Sequence, residues 1–208
     1  MNFMPSSGMN TTFIPYDNFN RDMHTMKSLF YNTYGLNLNP NNNEQDTILI
    51  TQKRKGYGNS RTLKYHNIAN IPQIIKMIQT NYPRYKVQII SWEDYNMKQQ
   101  VHIMSKTQLM ISLPGSAIMN GFLLHNTSSL ICYCQVGELH PGIKDDKSTY
   151  YNSYGVKFQK SNEFLLWFDH LNYSNYMQLC DEPFSYIHGL DTIINIDELN
   201  KKMRELKM

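Results

Sequence analysis

Two short passages of the chain carry residue types suited to holding a phosphorylated ligand. The first is Leu113-Pro114-Gly115-Ser116, which joins one apolar run to another at a spacing that reads as strand, turn and helix. Gly115 there permits close backbone approach. Ser116 and the amides after it can meet an anion at a helix N-terminus, where N–H groups are unpaired and peptide dipoles point positive. The same residues also read as a tight Pro-Gly turn with Ser116 as an N-cap, and one glycine does not make a G-x-G-x-x-G. The second passage is the basic stretch Lys53, Arg54, Lys55 and Arg61, spaced by Gly56 and Gly58. It can fold around an anion, and the planar arginine fork suits a diphosphate, although a solvated basic loop would have the same composition.

Other chemistry finds less support. The histidines are scattered, and no pair has the i, i+4 spacing or nearby carboxylate of a metal site, so no metal and no resident cofactor are expected. His102 reads as a mid-helix surface residue and Cys132 and Cys134 as neighbours on one face of a strand, more suited to core than to ligation. There is no G-x-S-x-G elbow and no Walker loop, which argues against a hydrolase and a P-loop kinase.

The elements that would position these passages alternate between β and α. Thr47-Ile48-Leu49-Ile50-Thr51-Gln52 is a β-branched run suited to a buried strand, and the basic stretch follows it. Asn70 is placed to cap a helix with Pro72 in its first turn and Ile71, Ile74, Ile75 and Ile78 on its apolar face. Val87-Gln88-Ile89-Ile90 reads as a strand, 97–106 as a helix, 108–113 as a strand, 116–124 as a helix and 130–133 as a fourth strand. Such alternation predicts a parallel sheet with right-handed crossovers, a Rossmann-like three-layer α/β fold. Both phosphate-suited passages then lie at strand carboxyl ends, on one rim, where open α/β sheets bind ligands. Outside this core, 21–34 reads as a helix with Met23, Met26, Leu29 and Phe30 on one side, 138–153 as a surface loop and 164–171 as helical. Asp197 is the expected N-cap of a charged terminal helix.

The 208 residues, 41% of them hydrophobic, can bury one sizeable core. The expected organisation is an irregular arm over 1–20 and a single domain over 21–208. A net charge of +3 is too mild to single out a nucleic-acid partner. No segment has the length and apolarity of a membrane span, and the first residues lack a basic start followed by an apolar run, so a cytoplasmic location is expected.

The residues between Ile48 and Gln135 resemble the catalytic region of glycosyltransferase family 61. In that family a strand is followed by a basic residue, an arginine and, after a short gap, an asparagine, which Arg54, Arg61 and Asn67 resemble. A helix-introducing segment is matched by Tyr95-Asn96-Met97-Lys98-Gln99-Gln100-Val101. The family signature His-Gly-Ala-Gly-Leu-Thr-Asn is matched by Pro114-Gly115-Ser116-Ala117-Ile118-Met119-Asn120, with Gly115 and Asn120 in register. The resemblance implies the carboxyl-terminal half of an inverting, metal-independent enzyme of GT-B type, taking a nucleoside-diphosphate sugar as donor and a glycan or protein as acceptor. Arg54 and Arg61 would pair with the donor phosphates, Gly115 and Ser116 would supply backbone donors, and Asn120 and Gln100 would hold the loop or the donor. A second domain or a homo-oligomer would complete the acceptor side. The chain departs from the pattern at Pro114, where the family has histidine, at Ala117, where it has glycine, and after the fourth strand, where Cys132-Tyr133-Cys134-Gln135 lacks an acidic residue.

Overall fold

The computed structural model describes residues 16–37, 45–52, 67–113, 116–125, 127–134, 150–151, 157–158, 176–180, 185–188 and 191–208. In chain order the elements are α1 (Tyr16–Thr33), β1 (Thr47–Thr51), α2 (Ile71–Asn81), β2 (Lys86–Ile90), a 3-10 turn (Trp92–Asp94), α3 (Met97–Lys106) and β3 (Thr107–Ser112). A 3-10 segment (Ser116–Leu123) and β4 (Ser129–Cys134) follow. The chain ends with β5 (Tyr150–Tyr151), β6 (Lys157–Phe158), β7 (Tyr176–Cys180), β8 (Ser185–His188), β9 (Asp191–Ile194) and helix α4 (Ile196–Glu205).

Five strands form one sheet in the order β2-β1-β3-β4-β7, and every pairing is parallel. Parallel strands are covered on both faces, so their sequences run apolar without interruption, and successive residues divide between the two sides. All five residues of β1 are buried. Ile48, Ile50, Leu109, Ile111, Ile131 and Tyr133 face a first cluster closed by Ile74, Met77 and Ile78 of α2 and Leu199 and Met203 of α4. Leu49, Met110, Leu130 and Cys132 face a second, closed by Tyr31 of α1, Val101 and Met104 of α3, and Leu123. The result is the expected three-layer α/β fold. Among the described residues no helix is long and apolar enough to cross a membrane.

Several elements differ locally from expectation. Helix α1 begins at Tyr16, inside the stretch expected to be irregular, because a nucleated helix propagates through residues of weak propensity such as Asn18 and Asn20. It ends at Gly35, whose φ of +67° allows the Leu36 N–H to reach the Tyr31 carbonyl at 2.9 Å. Its buried face centres on Lys27 and Tyr31, and Leu29, expected inside, is 60% exposed. Asn70 does not cap α2 with its side chain. It instead pairs with both backbone groups of Ile194, donating to the carbonyl at 2.7 Å and accepting from the N–H at 3.0 Å, which ties α2 to the end of β9. The N-cap of α4 is Asn195, accepting from the amides of Asp197 and Glu198, and not Asp197. The segment after β3 is 3-10 rather than α-helical. Inside the expected loop over 138–153 lies a two-residue strand, Tyr150–Tyr151, which pairs with Lys157–Phe158 beyond it, a length at which no periodicity can be read. The expected helix at 164–171 lies outside the described residues.

Candidate functional site

The strand order fixes where a ligand would sit. From β1 the chain moves to β2 on one side, then returns across β1 to β3 on the other, so the carboxyl ends of β1 and β3 flank the switch point of the sheet. In doubly wound folds the ligand crevice opens there, because the loops on either side part in opposite directions. Each of the two strands ends on a hydroxyl residue. The Thr51 hydroxyl donates to Ser112 Oγ at 2.7 Å, and the Ser112 hydroxyl donates to the Leu113 carbonyl at 2.9 Å, both buried. This bridge ties together the carboxyl ends of β1 and β3, neighbouring strands about 5 Å apart. Just beyond β1, the Gln52 N–H donates to Ile90 O at 2.8 Å and its side-chain amide to Ile68 O at 2.9 Å.

The segment that follows β3 is braced from two helices. Helix α3 opens with a capping box, in which Asn96 Oδ1 accepts from the Gln99 N–H at 3.0 Å and Gln99 Oε1 accepts from the Asn96 N–H at 2.9 Å. That fixes the neighbouring Gln100, whose Nε2 donates to the carbonyls of Tyr95 at 2.8 Å and Trp92 at 3.2 Å. Both amide protons are thereby committed, and Oε1 accepts from Asn120 Nδ2 at 3.3 Å. Helix α1 holds the other end: Tyr31 donates its hydroxyl to Leu123 O at 2.7 Å, and the buried Lys27 ammonium donates to Leu124 O. The rings of Phe30 and Phe122 meet edge to face at 5.9 Å.

Of the residues expected to form the site, the structure brings Gln100 and Asn120 into direct contact. Arg54, Arg61 and Gly115 lie outside the described residues, and Ser116 is the first residue of the 3-10 segment. Asn67 sits half-buried just before α2, where its carbonyl accepts from the Thr192 N–H at 2.9 Å and Ile68 bridges to Thr192. Sequence reasoning missed Thr51 and Ser112, whose signal is a hydroxyl closing an otherwise apolar strand. It also missed Lys27 and Tyr31, whose signal is a long donor at i and i+4 on a helix face that is otherwise apolar.

Burial governs the ionisable groups around this framework. It lowers Lys27 from an ordinary 10.5 to about 8 and pushes the Tyr31 hydroxyl up. Burial also pushes the Cys132 thiol up to about 12, so at neutral pH it is a packed apolar group and not a nucleophile. Tyr133 is likewise raised, first by burial and then by the nearby Glu198 carboxylate. His102 is exposed on α3 and lines a shallow groove with Tyr34, Leu36 and Ile103.

No curated protein matches the chain. The family model for glycosyltransferase 61 matches residues 10–131. That span takes in β1, β3, the 3-10 segment and the Gln100–Asn120 contact. It also extends upstream of Ile48 to include α1. With more than half of its length matched by the family model, the chain belongs to glycosyltransferase family 61.

Proposed function

We propose that this domain binds the diphosphate of a nucleoside-diphosphate sugar in the crevice between the ends of β1 and β3 and supports inverting, metal-independent transfer of the sugar to a glycan or protein acceptor. The observation that carries the reading is that the two phosphate-suited passages leave the sheet from these adjacent strands, at its switch point, with their departure points joined through Thr51 and Ser112. In the transfer, an acceptor hydroxyl attacks the anomeric carbon opposite the leaving group. The new C–O bond forms as the bond to the diphosphate breaks, a base takes the hydroxyl proton, and the nucleoside diphosphate departs with the electron pair. The protein's task is to stabilise charge growing on that diphosphate. Arg54 and Arg61 supply cations, and the backbone of Gly115 and Ser116 supplies N–H donors, a contribution worth several kcal/mol when the groups are fixed in advance. Gln100 serves as a brace, since its amide protons are held by Trp92 and Tyr95, and Asn120 is the residue it steadies. Asn67 anchors the returning end of the basic loop. The base and the acceptor site are assigned to a second domain or a second subunit.

Pro114, standing where the family has histidine, favours one second reading: a module that binds the nucleotide sugar without turning it over. Calorimetric titration with a panel of nucleoside diphosphates and their sugars tests both. Binding with release of free nucleoside diphosphate in the presence of acceptor supports transfer, binding without release supports the module, and no binding by any member of the panel removes both.

A further inference from the structure

The 3-10 segment after β3 spans eight residues. Runs of 3-10 helix longer than three or four residues are uncommon, because their hydrogen bonds are poorly aligned, so this one must be held by its surroundings. Its carboxyl end is where support is most needed: the last carbonyls of any helix have no partner within it, and Leu123 and Leu124 are fully buried. Helix α1 meets both carbonyls from a single face, one turn apart, with Tyr31 on Leu123 O and Lys27 on Leu124 O. Lys27 is 1% exposed. An ammonium is an expensive group to bury for packing alone, but its charge complements the negative end of a helical segment. Phe30 against Phe122 adds an apolar contact to the same pair of elements.

We propose that Lys27 and Tyr31 are positioning residues, which clamp the carboxyl end of the 116–124 segment to α1 and so fix the amides at its amino end against which the donor diphosphate is seated. The inference rests on the reading of that segment as the donor site, whereas the clamp itself does not. Lys27 and Tyr31 touch no reacting atom; they act by holding Leu123 and Leu124. The two donors work as a unit, because each fixes one of two consecutive carbonyls and neither alone sets the rotation of the segment about its axis.

The test uses the full chain carrying Lys27→Met or Tyr31→Phe, the second of which keeps the ring in place and removes only the hydroxyl. Amide hydrogen exchange in the ligand-free protein is compared for residues 118–124 and for the strands β1 and β3. Affinity per folded molecule is measured by calorimetry for uridine diphosphate and guanosine diphosphate. Loss of one such hydrogen bond is expected to speed exchange in 118–124 roughly tenfold relative to the strands and to weaken diphosphate binding by a similar factor. Unchanged exchange in 118–124 overturns the clamp. Faster exchange with unchanged affinity overturns the positioning role and leaves a purely structural contact. Failure of the unaltered protein to bind either diphosphate overturns the donor-site reading and the positioning role with it, and is seen in the wild type rather than the variants. Should Lys27→Met not fold, Tyr31→Phe decides the matter alone.

Discussion

The buried lysine of α1 should write itself into the pH dependence of stability. Lys27 has an ordinary pKa of 10.5 that burial lowers to about 8 in the folded protein. Between those values the unfolded chain binds the proton more often than the folded one does, so stability rises with pH across that window. Below about pH 8 both states are charged and the full penalty applies; above about 10.5 both are neutral and it is gone. The gap of about 2.5 pH units corresponds to about 3 kcal/mol at 1.36 kcal/mol each, of which about 2.5 kcal/mol is recovered by pH 10. Other groups titrate nearby, so the measured quantity is the difference between the wild type and Lys27→Met, from urea unfolding at pH 7, 8, 9 and 10. His24, one turn away on α1, is lowered by burial and by Lys27, and titrates below this window. Tyr31 and Cys132 are raised by burial and act with the opposite sign, but both are present in each protein and cancel in the difference. At pH 7 the substitution removes the charge penalty and also leaves Leu124 O without its ammonium donor, a loss of about 1–3 kcal/mol. The two effects nearly offset, which makes the slope rather than the absolute stability the decisive observable. A difference curve flat from pH 8 to 10, or one that falls, would show that Lys27 keeps an ordinary pKa and is not buried as a cation.

Further outcomes follow from the same framework. Arg61→Ala should weaken binding of a nucleoside diphosphate by about 1.5–3 kcal/mol, the range for a charge-assisted contact, and unchanged calorimetric affinity would return Arg61 to the role of a solvated loop residue. A double-mutant cycle between Gln100→Ala and Asn120→Ala should give a coupling of about 0.5–1.5 kcal/mol in urea unfolding, reflecting the 3.3 Å contact between their amides; strict additivity would mean that the contact does not form in solution. Thr51→Val keeps the shape of the residue and removes its hydrogen bond to Ser112, so a destabilisation of about 1 kcal/mol is expected, together with weaker diphosphate binding if the bridge aligns the two loops. In the folded protein Cys132 should resist alkylation at pH 8, read by mass spectrometry of its peptide, and rapid labelling would contradict a fully buried thiol raised to about 12.

What the sequence made legible was whatever rests on periodicity and on local chemistry. The strands TILIT and TQLMIS, the helix over 97–106 and the parallel three-layer arrangement follow from apolar runs broken by turn residues, and these are the elements that carry the site. Gln100 and Asn120 were singled out only through family register, and their contact with each other was not legible, because nothing local says that residues twenty apart will meet. The contributions of α1 were hidden for a different reason. An apolar stripe at helical spacing points to Leu29 as the buried residue, yet tertiary demand for donors at two buried carbonyls turns Lys27 and Tyr31 inward and Leu29 outward. The same competition explains Asn70 and Asn195. Each is a good N-cap by type, but Asn70 is drawn to the backbone of Ile194, while Asn195 takes the cap expected of Asp197.

The two ends of the sheet are joined differently. At the amino ends, side chains link β1, β3 and β4: Gln45 donates to Ser128 Oγ at 3.2 Å, Ser128 donates to Thr107 O at 2.7 Å, and Thr127 donates to Gln45 Oε1 at 2.9 Å while its hydroxyl contacts His125 Nδ1 at 2.8 Å. A buried side-chain network of this kind rigidifies that end of the sheet. At the carboxyl ends the Thr51–Ser112 bridge joins β1 to β3, and the residues that follow these strands in sequence include Lys53, Arg54, Lys55 and Arg61 after β1 and Gly115 after β3. Strand direction in a parallel sheet makes the ends unequal, with N–H groups of the following helical segments facing the carboxyl rim. If the donor is seated as proposed, the carboxyl rim is the one it meets, and Lys27, buried against the Leu124 carbonyl, supports the segment that follows β3.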